Sequence, residues 1–369
     1  VDARGAWVTP GIFATVTTLG LADVAAVSQS NDTSAGKSPF SAALDASKAI
    51  NPTSQHILVH KTAGITRAAT TLQPAGSIFA GQGAIIDLDG DANPVVQSRA
   101  FQMVVLGESG AAAAGGSRPA AHALLRAALR EAQALVGKTG IPATTAIDKG
   151  EEVYLTRFDA EALIPVVTGQ QKLYVAADRM ADIRAVLALR QEFPRLDLVL
   201  VGATEGWLVA KDIAAAGVPV IANGLVDLPE SFEQLGATQS NIGRLQRAGV
   251  KVAVNASANQ NARRLSQEAG NLVALTRLPG AAGLGWDQAF AAISSVPAEI
   301  AGLGGKAGVL KAGAFGDVVI WDGDPLELGT VPVRVYIGGV SQDLTNHQTR
   351  LRDRYKTLDE SARPKAYDW

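Results

Sequence analysis

The sequence predicts an α/β fold and, within that class, a closed (β/α)8 TIM barrel. From residue 173 onward, short apolar segments alternate with segments whose apolar residues recur every three to four positions. Almost wholly apolar strands between helices are typical of parallel strands buried on both faces. Several such units in tandem favour a barrel, with an open doubly wound sheet as the alternative. The first strand and turn lack the Gly-x-Gly-x-x-Gly pattern of a dinucleotide-binding sheet.

Composition limits the classes of function. The chain has 369 residues, of which 47% are hydrophobic and 18% charged, and its formal net charge is −2. This balance is typical of a folded, core-rich protein, and it gives no basic surface for nucleic acid. No apolar run reaches the ~20 residues of a membrane span. The absence of cysteine excludes disulfides, thiolate nucleophiles and Cys-ligated metals.

The first half of the chain predicts strands, a hairpin and one long helix. Apolar and β-branched runs favour strands over residues 12–19, 57–60, 64–71 and 84–88. The turn at Asp87-Leu-Asp-Gly-Asp91 superficially resembles a calcium loop, but it lacks the later ligands and favours a hairpin. Residues 107–117 and 140–152 are expected to be surface loops. Between them a helix ends at Gly137, and His122 on it is expected to pack there rather than bind a metal.

The second half supplies the regular alternation. Four strands are predicted over residues 173–177, 196–201, 218–222 and 250–254, and four helices over residues 182–193, 207–216, 241–248 and 262–275. A final helical pair covers residues 288–293 and 298–303, with a break at Pro297. After it come two strands of different character, over residues 317–321 and 333–337. Residues 348–367 are charged and predict an exposed terminal helix or arm.

Three segments carry a resemblance to a known family. GVLKAGAFGDVVIWDGDPLE at positions 308–327 resembles the C-terminal signature of imidazolonepropionase-like amidohydrolases. SVPAEIAGL at positions 295–303 resembles the helix that precedes this signature. VDARGAWVTPG at positions 1–11 resembles the approach to the first barrel strand. The three segments span nearly the whole chain in the expected order.

The resemblance implies a metal-binding TIM barrel with a small β-sandwich built from strands on both sides of the barrel. It divides this chain into an opening sandwich segment (1–10), a barrel (11–305), C-terminal sandwich strands (306–345) and a charged arm (346–369). The sandwich strands expected before Val1 are absent, so the element is expected to be incomplete. A fragment, a processed chain or a second polypeptide covering that face would each explain this.

The resemblance also implies where metal ligands should lie, and other residues occupy those positions. The His-x-His pair of the first strand falls on Val16 and Thr18, and the fifth-strand His falls near Ala176. The sixth-strand His falls near Gly202 or Ala203, and the eighth-strand Asp near Ser257. The family would use zinc, but we expect no cofactor here, because none of the histidines (His56, His60, His122, His347) lies at these positions.

Other polar residues follow the predicted strands and are weaker candidates for a site. Asp178 and Glu205 could form a carboxylate pair for acid–base catalysis, although capping of nearby helices is the simpler interpretation. Ser257 has no neighbouring His to activate it as a nucleophile. Residues that could contact a substrate are Arg179, Thr204, Asn223, Asn255 and Asn259.

These observations predict an amidohydrolase-like protein that is catalytically impaired and serves as a scaffold or binding subunit. The alternative is an active hydrolase of carbon–nitrogen bonds, in amides, cyclic amides or dipeptide-like substrates, with a non-standard site at the barrel mouth. A homo-oligomer, or a hetero-oligomer with a catalytic paralogue, would explain both the missing strands and the missing ligands. Export to the periplasm is compatible with this branch, but the chain contains no leader that would decide the compartment.

Overall fold

The computed structural model describes residues 2–3, 5–24, 26–138, 155–255 and 262–357. In chain order, the β-strands β1 to β12 are Trp7–Pro10, Ile12–Thr17, Ile65–Thr70, Phe79–Asp87, Val95–Val105, Lys172–Ala177, Leu198–Gly202, Val220–Asn223, Val252–Asn255, Val318–Trp321, Pro332–Ile337 and Val340–Ser341. The helices α1 to α12 are Gln55–Lys61, Gly107–Ala113, Arg118–Leu135, Arg157–Ala162, Ile164–Val167, Met180–Glu192, Ala210–Ala216, Asn241–Arg247, Leu265–Ala274, Trp286–Ala291, Ser295–Ile300 and His347–Tyr355.

Eight strands, β2 to β9, form one sheet in sequence order. Seven of them run parallel, whereas β4 is antiparallel to both β3 and β5. The predicted barrel sheet of eight strands is therefore present, but the strict (β/α)8 alternation is not. The prediction missed this because it recognised only residues 84–88 of β4 and did not recognise β5, so the long β4–β5 hairpin escaped it.

The sheet curves into a barrel whose seam lies between β2 and β9. At this seam the segment after α10 takes the place of direct strand pairing. Phe13 N donates to Ile293 O over 2.9 Å, and Val254 N donates to Ala292 O over 2.9 Å. One short piece of chain thus satisfies backbone groups of both edge strands, which would otherwise remain without partners in the interior.

A second, four-stranded sheet joins the two ends of the chain in the order β1-β10-β11-β12. β1 pairs antiparallel with β10, with Trp7 opposite Trp321. The prediction that the chain ends share one β element agrees with this pairing. The described residues form a single sheet here rather than a sandwich of two.

Two local predictions were wrong. Residues 57–60 lie in helix α1 rather than a strand, because Ser54 caps the helix by accepting a bond from His56 N (3.3 Å). The β-branched Ile57 and Val59 had favoured a strand, but context overrides strand propensity. Residues 107–113 of the predicted loop form helix α2, whose alanines favour a helix.

The final helical pair also differs in detail. Pro297 lies within the first turn of α11, where it needs no hydrogen-bond donor, and the break falls between α10 and α11 instead. The other strands and helices of the second half lie within a few residues of their predicted bounds. The predicted loop at residues 140–152 lies outside the described residues, as do positions 358–367 of the terminal arm. In the described part of the chain, no helix is both long and apolar enough to cross a membrane.

Candidate active site at the barrel mouth

The carboxyl ends of the seven parallel strands meet at one rim of the barrel, which we call the mouth. This is the rim where barrel proteins place their functional side chains. The interior beneath it is apolar and well filled. Phe101 and Tyr174 stack inside the barrel with ring centroids 4.1 Å apart, next to Phe13 and Ile221. Burial raises the pKa of the Tyr174 phenol well above its usual range, so this group stays neutral.

The opposite end of the barrel is closed by α11 and by the segment that follows it. Ala298, Ile300 and Ala301 belong to the same apolar cluster as the barrel interior, and Phe315 packs against that cluster. The guanidinium of Arg67 lies 3.9 Å from the centroid of the Phe315 ring. The barrel interior is therefore closed at this end.

Two of the positions at which the family resemblance implies histidines carry apolar side chains in this interior. Val16 is 8% exposed and belongs to the apolar interior cluster, and Ala176 packs against that cluster. Val16 also has a positive φ of 46°, which is strained for a β-branched residue. Thr18 is buried at the end of β2. At these three positions the only side-chain donor atom available to a metal is the neutral hydroxyl of Thr18.

A side chain at Gly202, one of the two candidates for the sixth-strand position, would collide with Asp178. Gly202 has a φ of +83°, and a Cβ added there would lie 2.6 Å from Asp178 Oδ1. Ala203, the neighbouring candidate, is fully buried in the outer core between the sheet and the helices. Ser257 and Asn259 lie outside the described residues.

Neutral polar groups line the mouth near the seam. The Thr15 hydroxyl donates to Asn255 Oδ1 over 3.2 Å, and Asn255 Nδ2 donates to Asn223 Oδ1 over 3.3 Å. Asn223 and Asn255 are opposite one another at the ends of β8 and β9. The structure thus brings together two of the predicted substrate-contacting residues. Thr15 was missed, although alternation along β2 places its hydroxyl on the same face as Phe13, two positions earlier.

The Asp178 carboxylate accepts three hydrogen bonds, from two residues. Its Oδ1 accepts bonds from Thr204 N (3.0 Å) and from the Thr204 hydroxyl (2.7 Å). Its Oδ2 accepts one from Gln234 Nε2 over 3.3 Å. Asp178 therefore holds the turn that follows β7, and Thr204 is engaged in the same contact.

Glu205 forms the reciprocal contact. Its Oε2 accepts a bond from Met180 N (2.9 Å) at the first turn of α6, and its Oε1 accepts one from Gly236 N (3.1 Å). Asp178 thus binds the backbone N–H of Thr204, next to Glu205, and Glu205 binds the backbone N–H of Met180, close to Asp178. This geometry agrees with helix and turn capping. Arg179 lies apart from the barrel interior, and it lines a surface cavity of about 580 Å³ with Glu108 and Arg118.

The segment between β8 and α8, residues 224–240, extends from the mouth toward α2. The sequence analysis assigned no functional residue to it. Glu233 Oε2 accepts a bond from Glu108 N over 2.7 Å and lies 3.3 Å from Arg118 Nη2. Burial is the main reason why the pKa of Glu233 is raised. We call residues 224–240 the mouth segment.

His122 packs on the outside of the barrel. Its Nε2 lies 2.9 Å from Asp182 Oδ1, between α3 and α6. Asp182 is also 3.3 Å from Arg118 Nε. This agrees with the interpretation of His122 as a packed, partly exposed residue of α3.

A zinc ion does not fit the described donor set. No group of three or more His, Asp or Glu side chains in the described part of the chain could hold a metal. The polar groups near the seam are hydroxyl and amide oxygens, which bind zinc poorly compared with imidazole and carboxylate. Moreover, no lysine lies on β5 or its end that could serve as a carboxylated ligand there.

Comparison with known proteins shows the fold. No family model matches the chain. The crystal structure of an amidohydrolase from Thermotoga maritima MSB8 superposes with a TM-score of 0.79 at 21% identity, over 92% of this chain and 88% of that one. A prolidase complexed with N-methylphosphonate-L-proline superposes with a TM-score of 0.50 at 17% identity, over 92% and 88%.

One curated relative shares a short region. The amidohydrolase tasK of Hapsidospora irregularis is 43% identical over 60 residues, which is 16% of this chain and 6% of that protein. The chain therefore matches only a small part of that relative's length. Together with the structural neighbours, this match confirms the predicted resemblance to amidohydrolases, at the level of the fold.

Proposed function

We propose that this protein with an amidohydrolase fold is a binding or scaffold subunit that does not carry out metal-dependent hydrolysis. One observation carries the proposal: the described positions of the expected metal ligands hold Val16, Thr18, Ala176 and Gly202, which cannot supply imidazole or carboxylate donors. Hydrolysis in this fold depends on a divalent metal that lowers the pKa of bound water and polarises the scissile group.

What the mouth can do is bind a neutral ligand. Asn223 and Asn255 offer amide donors and acceptors at the strand ends, and Thr15 orients Asn255 through its hydroxyl. The apolar interior beneath them excludes water. Amide groups over an apolar floor suit a ligand with hydrogen-bonding groups but no net charge.

The test combines metal content with turnover. We expect purified protein, produced with added zinc and then dialysed, to contain well below one equivalent of metal by mass spectrometry. A panel of dipeptides, amides and cyclic amides with added Zn²⁺, Mn²⁺ or Co²⁺ should give no turnover above buffer.

Tightly bound zinc at one or more equivalents would contradict the proposal. So would metal-dependent turnover, which would support a hydrolase of carbon–nitrogen bonds instead. The variant Asn255→Ala separates the mouth from a contaminating enzyme, because turnover that belongs to this mouth must change in that variant.

A further inference from the structure

The mouth segment exposes a group of large apolar side chains. Leu228 is 77% exposed, Phe232 83% and Leu235 67%. These three residues come from one stretch of 17 positions, 224–240, that also contains the acidic residues Asp227, Glu230 and Glu233 and no Lys or Arg. Single exposed apolar residues are ordinary, but three large ones within the eight positions 228–235 indicate an interaction surface.

The mouth segment is held in place rather than loosely attached. Glu233 binds Glu108 N, Gln234 binds Asp178, and Gly236 N binds Glu205. Trp207 Nε1 also donates to Gly236 O over 2.8 Å. The exposed apolar groups are therefore presented on an ordered support, which lowers the entropic cost of binding.

Helix α12 has the opposite charge and a similar apolar content. Arg350 and Arg354 are spaced one turn apart, as are the exposed Leu351 (47%) and Tyr355 (54%). Residues with this spacing share a face of a helix, so α12 carries a basic and apolar stripe. None of its residues is buried.

Both features lie at the same rim of the barrel. The first turn of α12 is attached near the mouth, since His347 Nδ1 is 3.0 Å from Gln55 Oε1 at the start of α1, and Arg263 Nη1 donates to Gln348 Oε1 over 3.3 Å. Gln55 begins α1, which leads back to the start of β3, and Arg263 lies between the carboxyl end of β9 and α9. Both residues therefore lie on the mouth side of the barrel. The mouth segment starts directly after β8 at that rim.

We infer that two copies of this chain form a dimer with two-fold symmetry in which α12 of each copy docks on the mouth segment of the other. Charge complementarity identifies the occupant: the acidic, apolar mouth segment matches the basic, apolar stripe of α12. Because both surfaces lie at one rim, a two-fold axis forms both contacts at once. The dimer covers the exposed apolar side chains of the mouth segment and of α12. This inference is independent of the proposed function.

The test uses the full chain and two charge-reversed variants. Sedimentation velocity should show a wild-type dimer at micromolar concentration that weakens as salt rises, because exposed charges are screened. Asp227→Arg/Glu230→Arg and Arg350→Glu/Arg354→Glu should each weaken self-association by about tenfold or more. An equimolar mixture of the two variants should form a heterodimer, since each reversed surface then meets an opposite charge.

Matched controls reverse exposed charges elsewhere. Glu327→Arg and Arg195→Glu should leave association unchanged, and circular dichroism should show that all variants are folded. A wild-type chain that is monomeric up to 100 μM (about the upper range of the method) would overturn the inference. So would a dimer that is insensitive to both reversals, or a mixture of the two variants that fails to associate. A further variant, Phe232→Ser, should weaken the dimer without a change in salt dependence.

Discussion

Asp87, at the end of β4, is the residue whose ionisation the fold changes most clearly at neutral pH. Burial, reinforced by the nearby Asp89 carboxylate, raises its pKa to about 7, although Arg67 lies 3.8 Å away. In the folded state Asp87 therefore keeps its proton at pH values well above the ordinary pKa of an aspartate. Asp87 was considered in the sequence only as part of a turn, since neither its burial nor the approach of Arg67 can be read from its neighbours.

We predict that the contribution of Asp87 to stability falls as the pH rises through neutrality. A carboxyl with a raised pKa binds its proton more tightly when folded, so its contribution is fully present below pH ~4 and is lost as the pH rises to and through 7. Asp87→Asn should remove about 1–2 kcal/mol of the decrease in unfolding free energy between pH 5 and pH 8. Denaturant unfolding at both pH values measures this, with Asp287→Asn as the exposed control. An unchanged slope in Asp87→Asn would contradict the prediction.

At the scale of elements, the carboxylates Asp178 and Glu205 join neighbouring strand–helix units. Glu205 connects the start of α6 to Gly236 of the mouth segment, and Asp178 holds the turn after β7. In sequence each acid could be assigned only to the helix that follows it. The crossed arrangement arises because adjacent parallel strands bring their successive turns side by side at the rim.

We predict that Glu205→Ala lowers the free energy of unfolding by about 1–2 kcal/mol, because two backbone N–H groups lose their acceptor. Glu205→Gln retains one acceptor oxygen and should recover about half of the loss. Hydrogen exchange should show faster exchange at Met180 and Gly236 in the Ala variant. If neither exchange nor stability changes, the capping role is wrong and a role in ligand chemistry becomes the better explanation.

A second contact joins the small sheet to the barrel. Arg67 Nε donates to Asp317 Oδ2 over 2.6 Å, and Arg67 Nη2 donates to Asp317 Oδ1 over 3.1 Å. Asp317 also accepts a bond from Gly338 N over 2.9 Å. Both side chains are almost fully buried. This paired geometry fixes the start of β10 on the barrel. The aspartate of the C-terminal segment, Asp317, thus joins the small sheet to β3 through Arg67.

We predict that Asp317→Ala destabilises the protein by about 3–5 kcal/mol, since it leaves a buried guanidinium without its main partner. The double variant Arg67→Met/Asp317→Leu should lose less stability than the single variant, because it leaves no unpaired guanidinium in the interior. Thermal and denaturant unfolding measure both. If the double variant loses as much unfolding free energy as the single variant or more, lost packing, rather than the unpaired charge, is the main cause of the destabilisation.

At the scale of the whole molecule, no group of three or more His, Asp or Glu side chains among the described residues could hold a metal. The apolar cluster inside the barrel and the larger one between sheet and helices supply the packing. Zinc-dependent folds, by contrast, lose stability when ligands lose the ion. Burial of apolar surface in these two clusters stabilises the barrel.

We predict that chelation leaves stability unchanged. Dialysis against EDTA should shift the melting temperature by less than about 1 °C, and added Zn²⁺ should not raise it. Scanning calorimetry before and after dialysis makes the measurement. A fall of several degrees that zinc reverses would show a metal site in the part of the chain that the structure does not describe.

Much of the secondary structure and of the barrel sheet could be predicted from the sequence. The strands and helices after residue 173 were predicted close to their observed positions, and the two chain ends were assigned to one β element. Local signals sufficed there, because apolar periodicity and Gly-terminated helices need no information from distant residues. The direction of β4 was missed because it depends on long-range pairing with β3 and β5. Helices α1 and α2 were missed although local signals favour them, namely the Ser54 cap and the alanines of α2.

The sequence by itself determined the fold class and the absence of imidazole and carboxylate at Val16, Thr18 and Ala176, since residue identity excludes those donors wherever the chain folds. Only the tertiary structure decided that Asn223, Asn255 and Thr15 meet, and that Asp178 and Glu205 cap each other's turns. These contacts join residues as far as 240 positions apart. Their distances depend on the curvature and register of the barrel sheet, which local sequence does not encode.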